Sequence, residues 1–576
     1  MNTLRNTGIL WLTFLLCTVS CTGVLEETPN GKISQNFSFY AKTDLQGSVN
    51  ILYRTARDAQ FGITQYIFAL MGDELTTHRA SNKGGIRQWD IYNVSTNNDR
   101  LQWCWEDKYK VVKAANYIIN GVEKCPDVSQ ADIDYALGQA HLWRAWAYFY
   151  LVRPFGPLPI IKSLEFDFSV KLSSVEEVYE LIEADLLAAE QLLLDDYSGD
   201  PKKINGMNRV ATKAGAQAML SSVYLTMAGW PLEYGTPYYE KAAAYALKVI
   251  NNPMYSLYDE YWLIHSYKEN YTNKEMILGL YTSTVHGTGD GSPSMSVRGV
   301  INDIPDSGSG AWSDTHAEIG FYTKMLAAQG RNPRFEATYA PVLNCGGSNP
   351  NWIYYNWWDD RVPPDVRTPY FAKSGYPTIT ITKEEWDYKK THGSQGNGWN
   401  DQTRIIIRLA EVYLWYAEAT GRAGKTDQRA IDLLNTVRNR ADGKGVTAQR
   451  PDGANIYPNS MSPTELAEAA YNEHGWEIAG GHWGAIAPRA ADMHRMNRIE
   501  AHFKERAAQA EYEFEDPDNP GAFIRKREHF TVATGDTWKQ SKMYVPYPAV
   551  DVERNPELGI PVENKLNMTF KSQVNN

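Results

Sequence analysis

The feature that most limits what this chain can become is a train of amphipathic helical segments, starting ~25–40 residues apart and separated by short turns. "LQWCWEDKYKVVKAANYIING" sets Leu101, Trp105, Tyr109, Val112, Ala115 and Ile119 on one helical face and stops at Gly121. "ADIDYALGQAHLWRAWAYFYLVRPFG" repeats the pattern with Ile133, Leu137, Ala140, Trp143, Ala147 and Leu151, and Pro154 and Gly156 end it. "SSVEEVYELIEADLLAAEQLLLDD" opens on a capping box, Ser174 with Glu177. "TKAGAQAMLSSVYLTMAGW" is rich in small side chains that let a neighbouring helix come close. "TPYYEKAAAYALKVIN" takes Thr236 as N-cap and Pro237 as its first helical residue. One amphipathic helix cannot bury its apolar stripe alone, so helices joined this closely pack as antiparallel pairs. The pattern predicts a mainly α fold on a tetratricopeptide-like helical-repeat scaffold.

The rhythm fails between about residues 256 and 400, where Gly, Pro, Asn, Ser and aromatic residues dominate and "HGTGDGSPSMS" and "DSGSGAWSD" have loop composition. Helices return at "RIIIRLAEVYLWYAEATGRAG", "TDQRAIDLLNTVRNRADG" and "SPTELAEAAYNEHGWEIAGG", the last with a second capping box, Ser462 and Glu465. The tail "KMYVPYPAVDVERNPELGIP" is extended and punctuated by proline. The expected organisation is a leader over 1–20 and one domain over 21–576. That domain divides into an N-terminal helical part (about 21–255), a loop-rich, aromatic-rich insertion (about 256–400), and a C-terminal helical part with its tail (about 401–576). Loops of that length usually carry function.

The leader is "MNTLRNTGILWLTFLLCTVSC": a cation at Arg5, then an apolar run from Gly8 to Val19 that is too short to span a bilayer. Ser20 directly before Cys21 resembles a bacterial lipobox, which implies cleavage before Cys21 and its acylation. Cys17 competes less well because bulky Leu16 precedes it. Net charge is −11, and loss of Arg5 with the leader makes the mature chain more acidic still. That excludes a phosphate-tracking nucleic-acid binder, which needs a basic stripe, and a peripheral protein held to anionic lipid by charge. Cys104 and Cys125 bracket one helical pattern. A continuous helix would hold them roughly 30 Å apart, where a disulfide needs about 7 Å or less. No cofactor and no metal are expected.

Several segments, in this order, resemble those of SusD-like (SusD/RagB) outer-membrane lipoproteins of Bacteroidota: "LEETP" after Cys21, "GQAHLWRAWAYFYLVRPFGPLPII", "RIIIRLAEVYLWYAEA", "AIDLLNTVRNRA" and "VPYPAVDVERNPEL". The resemblance runs from residue 21 to about 561. It implies a lipid-anchored protein on the outer face of the outer membrane, acting as a lid on a SusC-like TonB-dependent transporter and passing oligosaccharide to it. One segment departs from the family's Arg-rich pattern. "NEHGWEIAGGHWGAIAPRAADMHRM" keeps Glu473, Glu477, Asp492 and Arg495 but carries His474 and Gly475 where arginines are usual, so ion pairing there is expected to differ.

Sugar recognition needs an aromatic face for the CH-rich side of the ring and planar bidentate groups for vicinal hydroxyls. "NWIYYNWWDD" offers both, with Trp352, Trp357 and Trp358 beside Asn356 and Asp359. Along a strand Trp352, Tyr354 and Trp358 would share one face, so some of these rings are expected in the core. The resemblance also points to ligand residues in the early loop, Asp73, Arg87, Trp89 and Tyr92, and in the insertion, Trp312 and Asp314. For Trp89 and Tyr92 the competing expectation is packing of the loop onto the next helix. His474, Glu477 and His482 tempt a metal reading, but the Gly pair before His482 breaks the helix that would align them. "HGTGDG" lacks the strand and helix of a phosphate loop. Asp359 and Asp360, adjacent on a strand, would point to opposite faces and could not act together as a glycosidase pair. The expected function is therefore non-catalytic capture of a glycan. A RagB-like peptide binder on the same scaffold is the first alternative, and a surface glycoside hydrolase the weaker second.

Overall fold

The computed structural model describes residues 39–281, 315–345, 352–355, 369–371, 394–395, 399–400 and 403–574. Within these, residues 40, 61–66, 78–82, 166, 200–201, 267–268, 270–271, 341, 481–484, 509–510, 517–518 and 528–537 are excepted. The N-terminal part supplies α1 (Lys42–Asp58), α2 (Gly84–Asp90), α3 (Asp99–Gly121), α4 (Gln130–Phe155), α5 (Val175–Leu192), α6 (Lys213–Ala228) and α7 (Thr236–Ile250). The insertion carries α8 (Ile319–Gln329) and α9 (Pro333–Thr338). The C-terminal part has α10 (Leu409–Arg422), α11 (Gln428–Ala441), α12 (Pro463–Ile478), α13 (Arg489–Arg495) and α14 (Ile499–Ala508).

Local chemistry sets these boundaries. Asn98 accepts from the backbone N–H of Arg100 and Leu101 at the start of α3, and Ser129 and Thr212 do the same for α4 and α6. Both expected capping boxes form, Ser174 with Glu177 and Ser462 with Glu465. One boundary differs by a residue: Thr236 lies inside α7, and Gly235 is the N-cap at φ 65°, a conformation that costs glycine nothing. Cys104 and Cys125 are both buried and free, and burial pushes the Cys104 thiol up to about 11.

Consecutive helices pack in chain order, α3 on α4, α4 on α5, α5 on α6 and α6 on α7. The next neighbour of α7 is α10, from beyond the insertion, and α10 continues the stack onto α12 and α11. Trp143, Trp146 and Trp415 are fully buried between layers. Glycine permits one close crossing: a Cβ on Gly421 of α10 would lie 2.5 Å from the Pro463 carbonyl oxygen and 2.6 Å from the Ala467 nitrogen of α12. The tail returns to the C-terminal end of α4, where helix carbonyls lack partners. Val545 N–H donates to the Pro154 carbonyl at 2.8 Å, and Lys565 Nζ donates to the carbonyls of Phe155 at 2.9 Å and Val545 at 2.6 Å. Burial holds that lysine well below its ordinary pKa.

The strands that matter here are short: β1 (Leu75–Thr77), β2 (Met276–Leu280), β3 (Thr315–Ala317), β4 (Val342–Cys345), β5 (Trp352–Tyr355) and β6 (Arg404–Arg408). β2 and β6 pair antiparallel, so the insertion leaves and re-enters the helical stack at one place. A buried ionic cluster fixes that place. Glu477 of α12 takes Arg408 at 2.6 Å, Arg334 of α9 at 3.0 Å, and Arg440 of α11. Glu275, just before β2, takes Arg408 at 3.0 Å and Arg440 at 2.6 Å. All five side chains have zero solvent exposure. Unpaired buried charge is prohibitive, so the cluster holds entry, exit and an inserted helix in one arrangement.

His474 and the charged groups around it are buried as well. His474 lies with Nδ1 2.6 Å from Asp492 and Nε2 3.7 Å from Glu411. Burial works against a charged imidazole, but the Asp492 and Glu411 carboxylates outweigh it and raise its pKa to about 9. Arg495 in turn bridges Asp492 and Glu418 at 2.8 and 2.6 Å. Gly475 leaves room for another arginine: a Cβ there would sit 3.1 Å from Nη1 of Arg489.

Candidate functional site

β1 lies in the early segment and β3 in the insertion, and they pair antiparallel as Leu75 with Ala317, Thr76 with His316, and Thr77 with Thr315. Two stretches separated by more than two hundred residues therefore meet at one ladder. Asp90, at the end of α2, secures the early side. Its Oδ2 accepts from Thr76 Oγ1 at 3.0 Å, Thr77 N–H at 3.0 Å and Thr77 Oγ1 at 2.9 Å. The insertion side is secured by Glu318 N–H, which donates to the Glu74 carbonyl at 2.9 Å.

The early-loop candidates divide. Asp73 is 9% exposed, and both carboxylate oxygens are taken by Arg489, Nε to Oδ1 at 2.8 Å and Nη2 to Oδ2 at 3.1 Å. Desolvation opposes ionisation, but the guanidinium outweighs it and holds the carboxyl below its usual range. Asp73 thus ties the early loop to α13, with both carboxylate oxygens accepting from one guanidinium. Trp89 is fully buried on α2. Tyr92 is 4% exposed, with its ring edge-on to Phe503 and Trp538 at 5.2 Å from each. Its hydroxyl donates to the Met71 carbonyl and lies 2.9 Å from His494 Nε2. Burial, aided by nearby Arg153, drops the His494 pKa to about 3, so the imidazole beside the phenol is neutral. These contacts hold Tyr92 at φ 52°, a left-handed conformation unusual for an aromatic residue. The expectation that Trp89 and Tyr92 present faces to a ligand is corrected: packing of the loop onto the helices claims both rings. Arg87 is half-buried on α2.

Trp312 and Asp314 lie outside the described residues, as do Asn356, Trp357, Trp358 and Asp359. In the sequence Asp314 directly precedes Thr315, the residue paired with Thr77. Trp352 opens β5, paired with Cys345, and Asn356 follows β5 directly.

One exposed ring escaped the sequence reading. Trp103 of α3 is 45% exposed, with the Arg100 guanidinium 4.4 Å from its ring centre. Its helix begins at Asn98, whose side chain donates to the Gly85 carbonyl and to Gln88 of α2 at 2.8 and 2.7 Å. The signal was present in the periodicity. At about 100° per residue, Trp103 lies about 160° around the helix from both Leu101 and Trp105, and so on the polar side.

No trio of His, Cys, Asp or Glu is placed to hold a metal among the described residues. His474 and Glu477 are committed to Asp492 and to three arginines, and His482 lies outside the described residues. Among the described residues no helix is long and apolar enough to cross a membrane.

Comparison with known proteins places this architecture. A profile described as "Starch-binding associating with outer membrane" matches residues 24–225, and that of the SusD family matches 233–560. The SusD-like protein P2 of Formosa agariphila is 26% identical over 447 residues, covering 75% of this chain and 81% of that one. A protein solved with xylogluco-oligosaccharide superposes with a TM-score of 0.65 at 21% identity, over 90% of this chain and 98% of its own. A laminarin-binding SusD-like protein superposes with a TM-score of 0.63 at 20% identity, again over 90% and 98%.

Proposed function

Because this chain belongs to the SusD family, we propose that it is a surface glycan-binding lipoprotein that captures an oligosaccharide and delivers it to a SusC-like TonB-dependent transporter. Acylation of Cys21 anchors it to the outer membrane, and it performs no catalysis. The observation that carries the reading is the β1–β3 ladder, which joins the early segment to the residue directly after Asp314. In this reading Trp312, Trp352, Trp357 and Trp358 offer stacking faces, and Asp314, Asn356, Asp359 and Arg87 meet the ring hydroxyls. Trp103, with one face already against Arg100, supplies a further ring. Relatives of the same fold solved with xylogluco-oligosaccharide or described as laminarin-binding support a carbohydrate ligand over a peptide.

Each stacked ring adds only about 0.5–1.5 kcal/mol beyond area burial, so a platform of a few rings binds weakly and releases quickly, which suits handover. Isothermal titration of the mature protein against a glycan panel and a peptide library tests the reading. Saturable binding of a glycan, lost when Trp312 and Trp357 are replaced by alanine, is the expected result. Binding of peptides alone would overturn it, and release of reducing sugar on prolonged incubation would overturn the non-catalytic part.

A further inference from the structure

Arg506 lies on α14, far along the chain from both segments of the ladder, yet its guanidinium reaches both. Nη1 donates to Asp90 Oδ1 at 2.9 Å, and Nη2 donates to Thr76 Oγ1 at 2.6 Å. Nη2 also lies 3.1 Å from Glu318 Oε2, directly after β3. Arg506, Asp90 and Glu318 are each no more than 2% exposed, and Thr76 is fully buried. Asp90 and Thr76 belong to the early segment and Glu318 to the insertion. One planar fork thus binds the early segment and the insertion from the buried side of the ladder. Lysine could match the charge but not the divergent donors.

We propose that Arg506 is a positioning residue for glycan capture: by bonding Asp90, Thr76 and Glu318 at once, it sets the register and spacing of the early segment against the insertion. The proposal rests on the glycan-capture reading for its consequence, though its geometric content is independent of any ligand. With Arg506 removed, two buried carboxylates lose their shared cation and draw water between the segments. The ladder loosens, and groups that must meet one sugar together no longer keep their spacing.

The test uses the mature full-length protein with Arg506→Ala, Arg506→Lys and, as a milder variant that spares both charges, Thr76→Val. Hydrogen–deuterium exchange is read at residues 75–77 and 315–317, and titration uses the glycan that the unaltered protein retains. Arg506→Ala is expected to speed exchange in both strands together by tenfold or more, with α4–α7 unchanged, and to weaken glycan binding at least tenfold. Arg506→Lys and Thr76→Val should fall between. Methylguanidinium added to Arg506→Ala should restore protection and affinity, which a general loss of stability would not allow. Unchanged exchange in the two strands would overturn the positioning role, as would protection lost with full affinity kept. Should Arg506→Ala fail to fold, Thr76→Val decides by the same readings. Should the unaltered protein bind no glycan, the capture reading falls, while exchange still decides whether Arg506 sets the ladder.

Discussion

Glu477→Gln tests the claim that the ionic cluster fixes the insertion to the helical stack. The substitution keeps shape and removes one charge. Glu477 Oε1 faces Arg408 and Arg440, and Oε2 faces Arg334, in a site with no solvent exposure. At an effective dielectric of about 20, one ion pair at ~4 Å is worth about 4 kcal/mol before desolvation, and three such pairs also offset the mutual repulsion of the guanidiniums. The substituted amide could accept through its oxygen only, and its nitrogen would point N–H groups at a cation. Removing one partner of a buried pair typically costs about 3–5 kcal/mol, and the shared geometry puts this case at the upper end, against a total stability of roughly 5–15 kcal/mol. Denaturant unfolding followed by tryptophan fluorescence reads the loss. Glu240→Gln, which breaks the exposed Lys425–Glu240 pair, serves as the control and should cost under about 1 kcal/mol. If Glu477→Gln unfolds within about 1 kcal/mol of the unaltered protein, the cluster is not what binds the insertion to the stack.

Three further outcomes are expected. His474 has its pKa raised to about 9 in the folded state against 6.5 for the free side chain. Its contribution to stability is therefore complete below about pH 6.5 and is lost as pH rises through 9; His474→Asn should remove that alkaline decline from urea midpoints measured between pH 6 and 10. Gly421→Ala should destabilise by at least about 1–3 kcal/mol in thermal unfolding, because the new methyl meets backbone rather than a movable side chain. Trp103→Ala should weaken glycan binding by about tenfold or less and leave the melting temperature within a degree or two, since the ring is half in solvent.

The helices were legible because their signals are local. Capping boxes at Ser174 and Ser462 and the apolar stripe of α3 need only neighbours within a few residues. What the residues alone could not disclose is which polar groups are already spoken for. Asp73 and Arg489 are 416 residues apart, and nothing near Asp73 in the chain announces that its carboxylate is occupied. Trp89 and Tyr92 were pointed to by the resemblance, and packing was the competing expectation; Trp89 is fully buried, and α13, α14 and Trp538, from the far end of the chain, cover Tyr92. The departure at His474 and Gly475 was visible in sequence, but its effect needed coordinates: a charged imidazole serves Asp492, and the missing side chain makes space for Arg489.

The direct packing of α7 on α10 has a consequence for loop length. Because β2 and β6 run side by side, the two ends of the intervening stretch meet at one place on the helical stack, and the β1–β3 ladder and Arg334 tie it down at two more. Doubling the length of a loop between these anchor points adds only about 0.6 kcal/mol of closure entropy. Changes of loop length between the anchors therefore leave the helical stack its own contacts.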